Sequence, residues 1–404
     1  MSEHSGEARD SRTWWYLLPA VGIGVLLAFL VRPIIDEGPW TTMDLRVFHV
    51  SGDAVWNGED PYQFLLPQAP MSLVYPPFAG LLLAPLSLLS VEAMRIVWFA
   101  GIFVALQGLV WLATGWIGMD RRWVRLLLCP VIAAAAVLFA PVYQELWSGN
   151  VNVFLALLVL ADLCRRDGAR GRGLLIGIAA GIKLTPGIFI LYFLLTRRFK
   201  EAWTAMAGLA ATVVIGFLVM PGNAWRYWTE HVVDVDRMHS DPRIPVNQNL
   251  RGTFARVLGD PEVLVPWALA AMAVLAGGLA MCVALHRRGL VREGAVLVGV
   301  VSLLVSPVSW VYHWVWLIPT VIVLAATAVR TRSVVWGVAA AAAAVVPLLT
   351  SYPTFAENGG QVATGLWAAI SAEALVLVGL ALLAAGALAL RATEPVRDPE
   401  LVSR

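Results

Sequence analysis

The chain has 404 residues, 59% hydrophobic and 14% charged, with a mean hydropathy of +0.75. Soluble domains carry about 25% charged residues, so this composition excludes a soluble globular protein and predicts an all-α, polytopic transmembrane helical bundle. The net charge of +2 hides a segregation of sign that bears on topology.

The first apolar stretch begins near Trp14, after a polar tail (1–13) holding Arg9 and Arg12. It runs from Leu17 to Val31, contains Pro19 and lacks a small-residue cleavage site, which predicts a retained helix and not a removed signal peptide. A span needs ~20 apolar residues. On that basis further stretches lie near 76–90, 96–117, 124–141, 150–164, 173–196, 201–220, 263–286, 294–310, 312–329, 334–350 and 363–390, about twelve membrane segments in all. Residues 14–390 form a single transmembrane domain on this reading, and 391–404 a second polar tail. Two stretches are irregular: 76–90 is short and bracketed by Pro76, Pro77 and Pro85, and 173–196 carries Lys183 and Pro186 in its middle.

Basic residues crowd short loops at Arg121–Arg125, Arg165–Arg172, Arg197–Lys200, Arg287–Arg288 and Arg330–Arg332, whereas Asp36, Glu37, Asp44, Asp53, Glu59 and Asp60 crowd the segment after the first stretch. The positive-inside rule places the basic loops and both tails in the cytoplasm and the acidic segment outside. Twelve full crossings would put Arg165–Arg172 outside. Taking 76–117 as one crossing and 173–196 as a re-entrant pair of half-helices restores the rule, and broken helices at membrane depth line polar cavities.

Two outer segments are long enough to hold function, about 33–75 and about 221–262. In the first, Leu45, Phe48, Gly52, Val55 and Trp56 recur at helical spacing, predicting an amphipathic helix on the membrane surface, capped by Thr41 or Thr42 with Asp44 in its first turn. A carboxylate there is either a solvated group favoured by the helix dipole or a general base at a site that partly excludes water. Asp53, Glu59 and Asp60 compete with it, Asp60 reading as a turn former before Pro61. In the second outer segment, Trp225, Tyr227 and Trp228 suit an interfacial aromatic belt.

Five further runs carry polar chemistry. Val74-Tyr75-Pro76-Pro77-Phe78 is a rigid entry to the membrane in which Tyr75 either packs or lines a pocket. In Trp147-Ser148-Gly149-Asn150-Val151-Asn152, the two amides either cap a helix or bind sugar hydroxyls without the desolvation cost of a charge. Lys183, among apolar residues, marks a functional position suited to a phosphate, the alternative being a snorkelling side chain. Asn247-Gln248-Asn249-Leu250-Arg251 sets amides beside a guanidinium able to grip phosphate, or is a solvated loop. Ser306-Pro307-Val308-Ser309-Trp310-Val311-Tyr312-His313-Trp314-Val315-Trp316 places one His among three Trp, where it either serves phosphate or proton chemistry or packs at the interface. Cys129, Cys164 and Cys282 are far apart and form no disulfide or metal pattern. There is no Walker A loop, no Gly-x-Ser-x-Gly, no His-Glu-x-x-His, no Asp-x-Asp pair and no nucleic-acid signature.

Taken in order, Asp44-Leu45-x-Val47-Phe48, Tyr75-Pro76-Pro77-Phe78-Ala79, Gly149-Asn150-Val151-Asn152, Gly177 to Pro186, Asn247 to Gly252 and Ser306 to Trp316 resemble the actinobacterial polyprenyl-phosphate-mannose-dependent α-mannosyltransferases of the GT-C class. The resemblance spans roughly 40 to 320. It departs at Asn150, where the family run has Gln, and at Tyr312, where the family often has a first His before His313. It implies a GT-C bundle and a plasma-membrane enzyme with its active site on the periplasmic or extracellular side. The implied reaction moves mannose with inversion from polyprenyl-phosphate-mannose to a glycolipid or lipoglycan acceptor, without metal or cofactor. The implied site has Asp44 as base, Lys183, Arg251 and His313 on the donor phosphate, and Tyr75, Asn150, Asn152, Asn247, Gln248, Trp310 and Tyr312 around the sugars. The competing classes are a lipid-linked sugar flippase, which would typically show paired halves with matching breaks, a transferase of another polyprenyl-linked sugar, and a non-catalytic scaffold.

Overall fold

A computed structural model describes residues 41–63, 66, 71–234, 241–350 and 366–392. The first apolar stretch (14–32) and the two tails lie outside the described residues, apart from Arg391 and Ala392. The fold is a helical bundle, with no strand among the described residues beyond an isolated bridge between Asn247 and Trp310.

In chain order, the outer helix α1 (Met43–Trp56) is followed by the short α2 (Pro77–Leu83), the long α3 (Val91–Trp116), α4 (Arg122–Ala135), α5 (Ala140–Ser148) and α6 (Asn152–Leu163). Next come α7 (Leu174–Ile182), α8 (Ile188–Leu195), α9 (Phe199–Val219) and α10 (Pro221–Arg226), which runs into a π-helical turn at Tyr227–His231. The remainder is α11 (Leu250–Leu258), α12 (Leu264–Arg287), α13 (Val291–Val305), α14 (Leu317–Thr331) behind a 3₁₀ turn at Val311–Trp316, α15 (Val334–Leu349) and α16 (Leu366–Ala392).

Five of the described helical segments are long and apolar enough to cross a bilayer: Val91–Trp116, Phe199–Val219, Leu264–Arg287, Val311–Thr331 and Ala369–Ala392. A sixth is the pair Arg122–Leu138 and Ala140–Ser148, bent by 79°. Among the described residues these are five or six of the expected dozen, the first of which, at 14–32, lies outside them. Apolar stretches such as Asn152–Leu163 and Thr185–Leu195 form short helices, and at 1.5 Å per residue a twelve-residue helix covers only ~18 Å of a ~30 Å hydrocarbon core.

The break expected in 173–196 is present. α7 ends at Ile182, Lys183 is extended (φ −150°, ψ 129°), and a 3₁₀ turn at Thr185–Gly187 leads into α8. Glycines allow α7 to lie directly on α9: a methyl at Gly177 would overlap the Ala205 carbonyl oxygen, and one at Gly181 the Thr212 side chain. Such small-residue spacing lets helix backbones approach closely.

The basic loops gather at one end, where Arg198 pairs with Asp167 at 2.7 Å, Tyr192 meets His286 and Arg330 pairs with Glu293 at 3.0 Å. From that end α7 rises to Lys183, and α13 rises to Ser306. Nine residues of α7 span ~13 Å, so Lys183 sits well within the depth of the bundle. The multi-pass membrane character read from composition holds.

Candidate active site

The predicted amphipathic helix is α1, and its inward face is the expected one: Leu45, Phe48 and Gly52 are buried, whereas Trp56 is exposed and donates from Nε1 to the Ala84 carbonyl at 3.0 Å. Thr42 precedes the helix in a left-handed conformation (φ 56°) and makes no capping bond through its side chain. Its hydroxyl instead accepts from Arg95 Nε (3.1 Å), and its backbone N–H donates to the Trp147 carbonyl (2.7 Å). These bonds dock the start of α1 on α3 and on the corner between α5 and α6. The corner turns through Gly149 (φ 72°), where a methyl would stand 2.7 Å from Leu45 Cβ. A residue with a side chain would be strained there by about 1–2 kcal/mol and would push α1, and Asp44 with it, off the corner.

Asp44 thereby meets Asn150, whose Nδ2 donates to Asp44 Oδ2 at 2.9 Å and to the Tyr75 hydroxyl at 3.0 Å. Asn150 Oδ1 accepts from the Val151 N–H and from Asn152 Nδ2, both at 2.7 Å. Asn152 Oδ1 accepts from Lys183 Nζ at 2.9 Å, and Lys183 Nζ lies 2.7 Å from His313 Nε2. One connected network thus joins Asp44, Tyr75, Asn150, Asn152, Lys183 and His313, drawn from five separate sequence runs. Lysine does not snorkel here: its nitrogen is committed inside the protein.

An ammonium has only N–H donors, so beside charged Lys183 the His313 Nε2 accepts and the ring proton belongs on Nδ1. That Nδ1 is buried and has no hydrogen-bond partner among the described residues. With two of its three donors spent, the Lys183 ammonium keeps one N–H and its charge for an anion.

The network forms one wall of a cavity of about 280 Å³ lined by Asp44, Phe48, Tyr75, Lys183, Thr185, Trp310, Tyr312 and His313, and on its far side by Tyr227, His231 and Asp234. That size sits near the lower edge of small-molecule sites. A smaller cavity of about 60 Å³ adjoins it, sharing Thr185 and His313 and otherwise lined mostly by apolar side chains from α6, α8 and α13.

Burial raises the Asp44 carboxyl above the usual carboxylate range, while the Asn150 donor, the Lys183 charge and hydrogen bonds with Ser148 and Tyr312 pull it back only in part. A base must be ionised to act, so the acidic limb of kcat/KM should lie at higher pH than an exposed aspartate would give, with activity lost as pH falls through it. A pH–rate profile of the purified protein checks this; a limb at or below the ordinary aspartate value would contradict it.

Three expected site residues stand elsewhere. Asn247 gives its amide to the Pro242 carbonyl (3.2 Å) and accepts from the Ser309 N–H (3.1 Å). Gln248 donates to the Pro245 and Ala372 carbonyls (2.6 and 2.5 Å) and accepts from the Leu375 N–H (3.0 Å). Both amides are spent tying the second outer segment to the Ser-Pro run and to α16, and neither lines the cavity. Arg251 is buried on α11 and does not line it either. Of the competing carboxylates, Asp53 and Glu59 are exposed, and Asp60 pairs with Arg226 (2.8 Å) and accepts from the Tyr62 N–H as a turn former would.

Sequence reasoning missed Glu145, a buried carboxylate bonded to Asn152. It also gave Tyr227 to the aromatic belt, whereas Tyr227 is buried, stacks on Tyr62 (centroids 5.7 Å apart) and lines the cavity. No motif marks Glu145. The signal for Tyr227 and His231 is their i, i+4 spacing in an outer segment, made visible only by the π-helical turn.

A helical membrane bundle enclosing a polar cavity, with a carboxylate at one end of a hydrogen-bonded network and a lysine–histidine pair at the other, has the parts that group transfer at a membrane needs. The chain belongs to glycosyltransferase family 87, whose model matches residues 73–307. It is 34% identical over 361 residues (85% of each chain) to a polyprenol-phosphate-mannose-dependent α-(1-2)-phosphatidylinositol pentamannoside mannosyltransferase of Mycolicibacterium smegmatis. It is 30% identical over 345 residues (81% of this chain, 80% of the relative) to a polyprenol-phosphate-mannose-dependent α-(1-2)-phosphatidylinositol mannoside mannosyltransferase of Mycobacterium tuberculosis. No solved structure matches the chain. Asn150 and Tyr312 both hydrogen-bond to Asp44.

Proposed function

We propose that this protein transfers mannose from polyprenyl-phosphate-mannose to a phosphatidylinositol mannoside at the outer face of the plasma membrane, with inversion, giving an α-(1→2) linkage. The observation that carries the reading is a single cavity with a base at one end of the network and a cationic, donor-rich pair at the other. Relatives named for this donor and for phosphatidylinositol mannoside acceptors support the substrates. The outer location is supported by the basic loops, which gather at the end of the bundle from which α7 rises towards the cavity.

Asp44 takes the proton from an acceptor hydroxyl as that oxygen bonds to the anomeric carbon. The bond from that carbon to the phosphate oxygen breaks on the opposite face, and its electron pair leaves with polyprenyl phosphate. Lys183, with His313 beside it, meets the developing phosphate charge, which preorganised groups stabilise without reorganisation. Tyr75, Trp310 and Tyr312 wall the sugar. Asn150 and Asn152 lie behind them and hold the network rather than the substrate. Arg251, Asn247 and Gln248 support the outer segment. Because the phosphate charge is met by side chains, no metal is required. The test is the configuration of the product by NMR after transfer from the β-linked donor in the presence of EDTA. An α-(1→2)-mannosyl product supports the reading; a β-linked product, or dependence on a divalent cation, overturns it.

A further inference from the structure

Glu145 is a buried carboxylate that the reaction as drawn does not use. It is fully buried on α5, the helix that follows the 79° bend. A carboxylate in such a place persists only if its oxygens are occupied. Oε1 accepts from the Val153 N–H at 3.0 Å and Oε2 from Asn152 Nδ2 at 3.2 Å. Val153 lies in the first turn of α6, where free N–H groups and the helix dipole favour an anion.

The bond to Asn152 decides which way two amides point. A primary amide donates only from nitrogen and accepts only at oxygen. With Nδ2 held by Glu145 and by Asn150 Oδ1, Asn152 must turn Oδ1 to Lys183. Asn150, receiving N–H groups at Oδ1 from Asn152 and Val151, must turn Nδ2 to Asp44 and Tyr75. A reversed Asn152 would set its NH₂ against the Lys183 ammonium and its carbonyl against the Glu145 carboxylate.

We propose that Glu145 is a positioning residue: it fixes the polarity of the Asn152–Asn150 pair, and through it aims a donor at Asp44 and an acceptor at Lys183. The proposal rests on the reading of Asp44 as the base and Lys183 as a phosphate donor. The titratable groups facing the network are Asp44, Tyr75, Lys183, Tyr312 and His313.

The test uses the full chain in nanodiscs with polyprenyl-phosphate-mannose and a phosphatidylinositol mannoside, comparing wild type, Glu145→Gln, Glu145→Asp and Asp44→Asn. Glutamine has one acceptor where two N–H donors converge, so one bond becomes a donor–donor contact whichever way its amide turns. For folded Glu145→Gln, kcat should fall at least about tenfold, as misaligned catalytic groups do; its acidic limb is moved in opposite directions by the lost Asn150 donor and by the lost negative charge near Asp44. Glu145→Asp keeps the charge but withdraws it by one methylene, so Asp44 is left with a misaligned Asn150 donor and the acidic limb of kcat/KM should move to higher pH; this variant carries the test of direction, and the whole test if the glutamine variant does not fold. A merely structural role would lower kcat or the yield of folded protein and leave the limb of Glu145→Asp in place, and that result overturns the proposal, as does wild-type behaviour of both variants. Transfer by Asp44→Asn would fail the base assignment itself, whereas silent Glu145 variants beside an inactive Asp44→Asn would fail only the positioning role.

Discussion

Replacing Asp44 with asparagine is expected to lower kcat by at least about 100-fold, the lower end of what a positioned general base supplies, while donor affinity and thermal stability stay within a few-fold and a few degrees of wild type. The substitution preserves shape. An asparagine oxygen can still accept from Asn150 Nδ2, and its NH₂ can donate to the Tyr312 hydroxyl, so no buried group is stranded. What disappears is the only ionisable group on α1 that faces the cavity. Steady-state kinetics beside a donor-binding measurement on the same preparation checks this, and retained turnover would remove Asp44 from the mechanism.

The second large effect belongs to the other end of the network. Lys183→Met removes the charge that meets the phosphate and strands Asn152 Oδ1 and His313 Nε2. Losing one preorganised electrostatic contact costs about 10²–10³ in kcat, so a drop of that order is expected, together with a donor affinity weakened by at least about tenfold. Asp44→Asn should leave the donor bound but unreacted, and Lys183→Met should release it. Equal donor binding in the two variants would mean that Lys183 does not touch the phosphate.

Lys183 was legible in the sequence because its cost is local: a charge and a proline inside an apolar run cannot continue a spanning helix, and the chain breaks there. Asp44 was legible through helical spacing, since Leu45, Phe48 and Gly52 fix which side of α1 is buried. Other features depended on contacts remote in the chain. Asn247 and Gln248 looked like sugar ligands because amides read alike in a sequence, and only the groups that they meet in the second outer segment, the Ser-Pro run and α16 show their bonds to be spent. Glu145 sits in an unremarkable run, and its meaning comes from the corner at Gly149, which brings the first residues of α6 to its carboxylate. The number of crossings is hard to read from hydropathy for a related reason. An interior helix such as α6 needs apolar residues on all sides, as a spanning one does, and hydropathy does not separate the two.

The most direct test of the central claim is sugar transfer by the purified protein in nanodiscs containing EDTA, with a phosphatidylinositol mannoside as acceptor and either polyprenyl-phosphate-mannose or GDP-mannose as donor. The account predicts mannosylated glycolipid from the polyprenyl donor alone. Transfer from GDP-mannose, or movement of the lipid-linked sugar across the bilayer without any transfer, would contradict it.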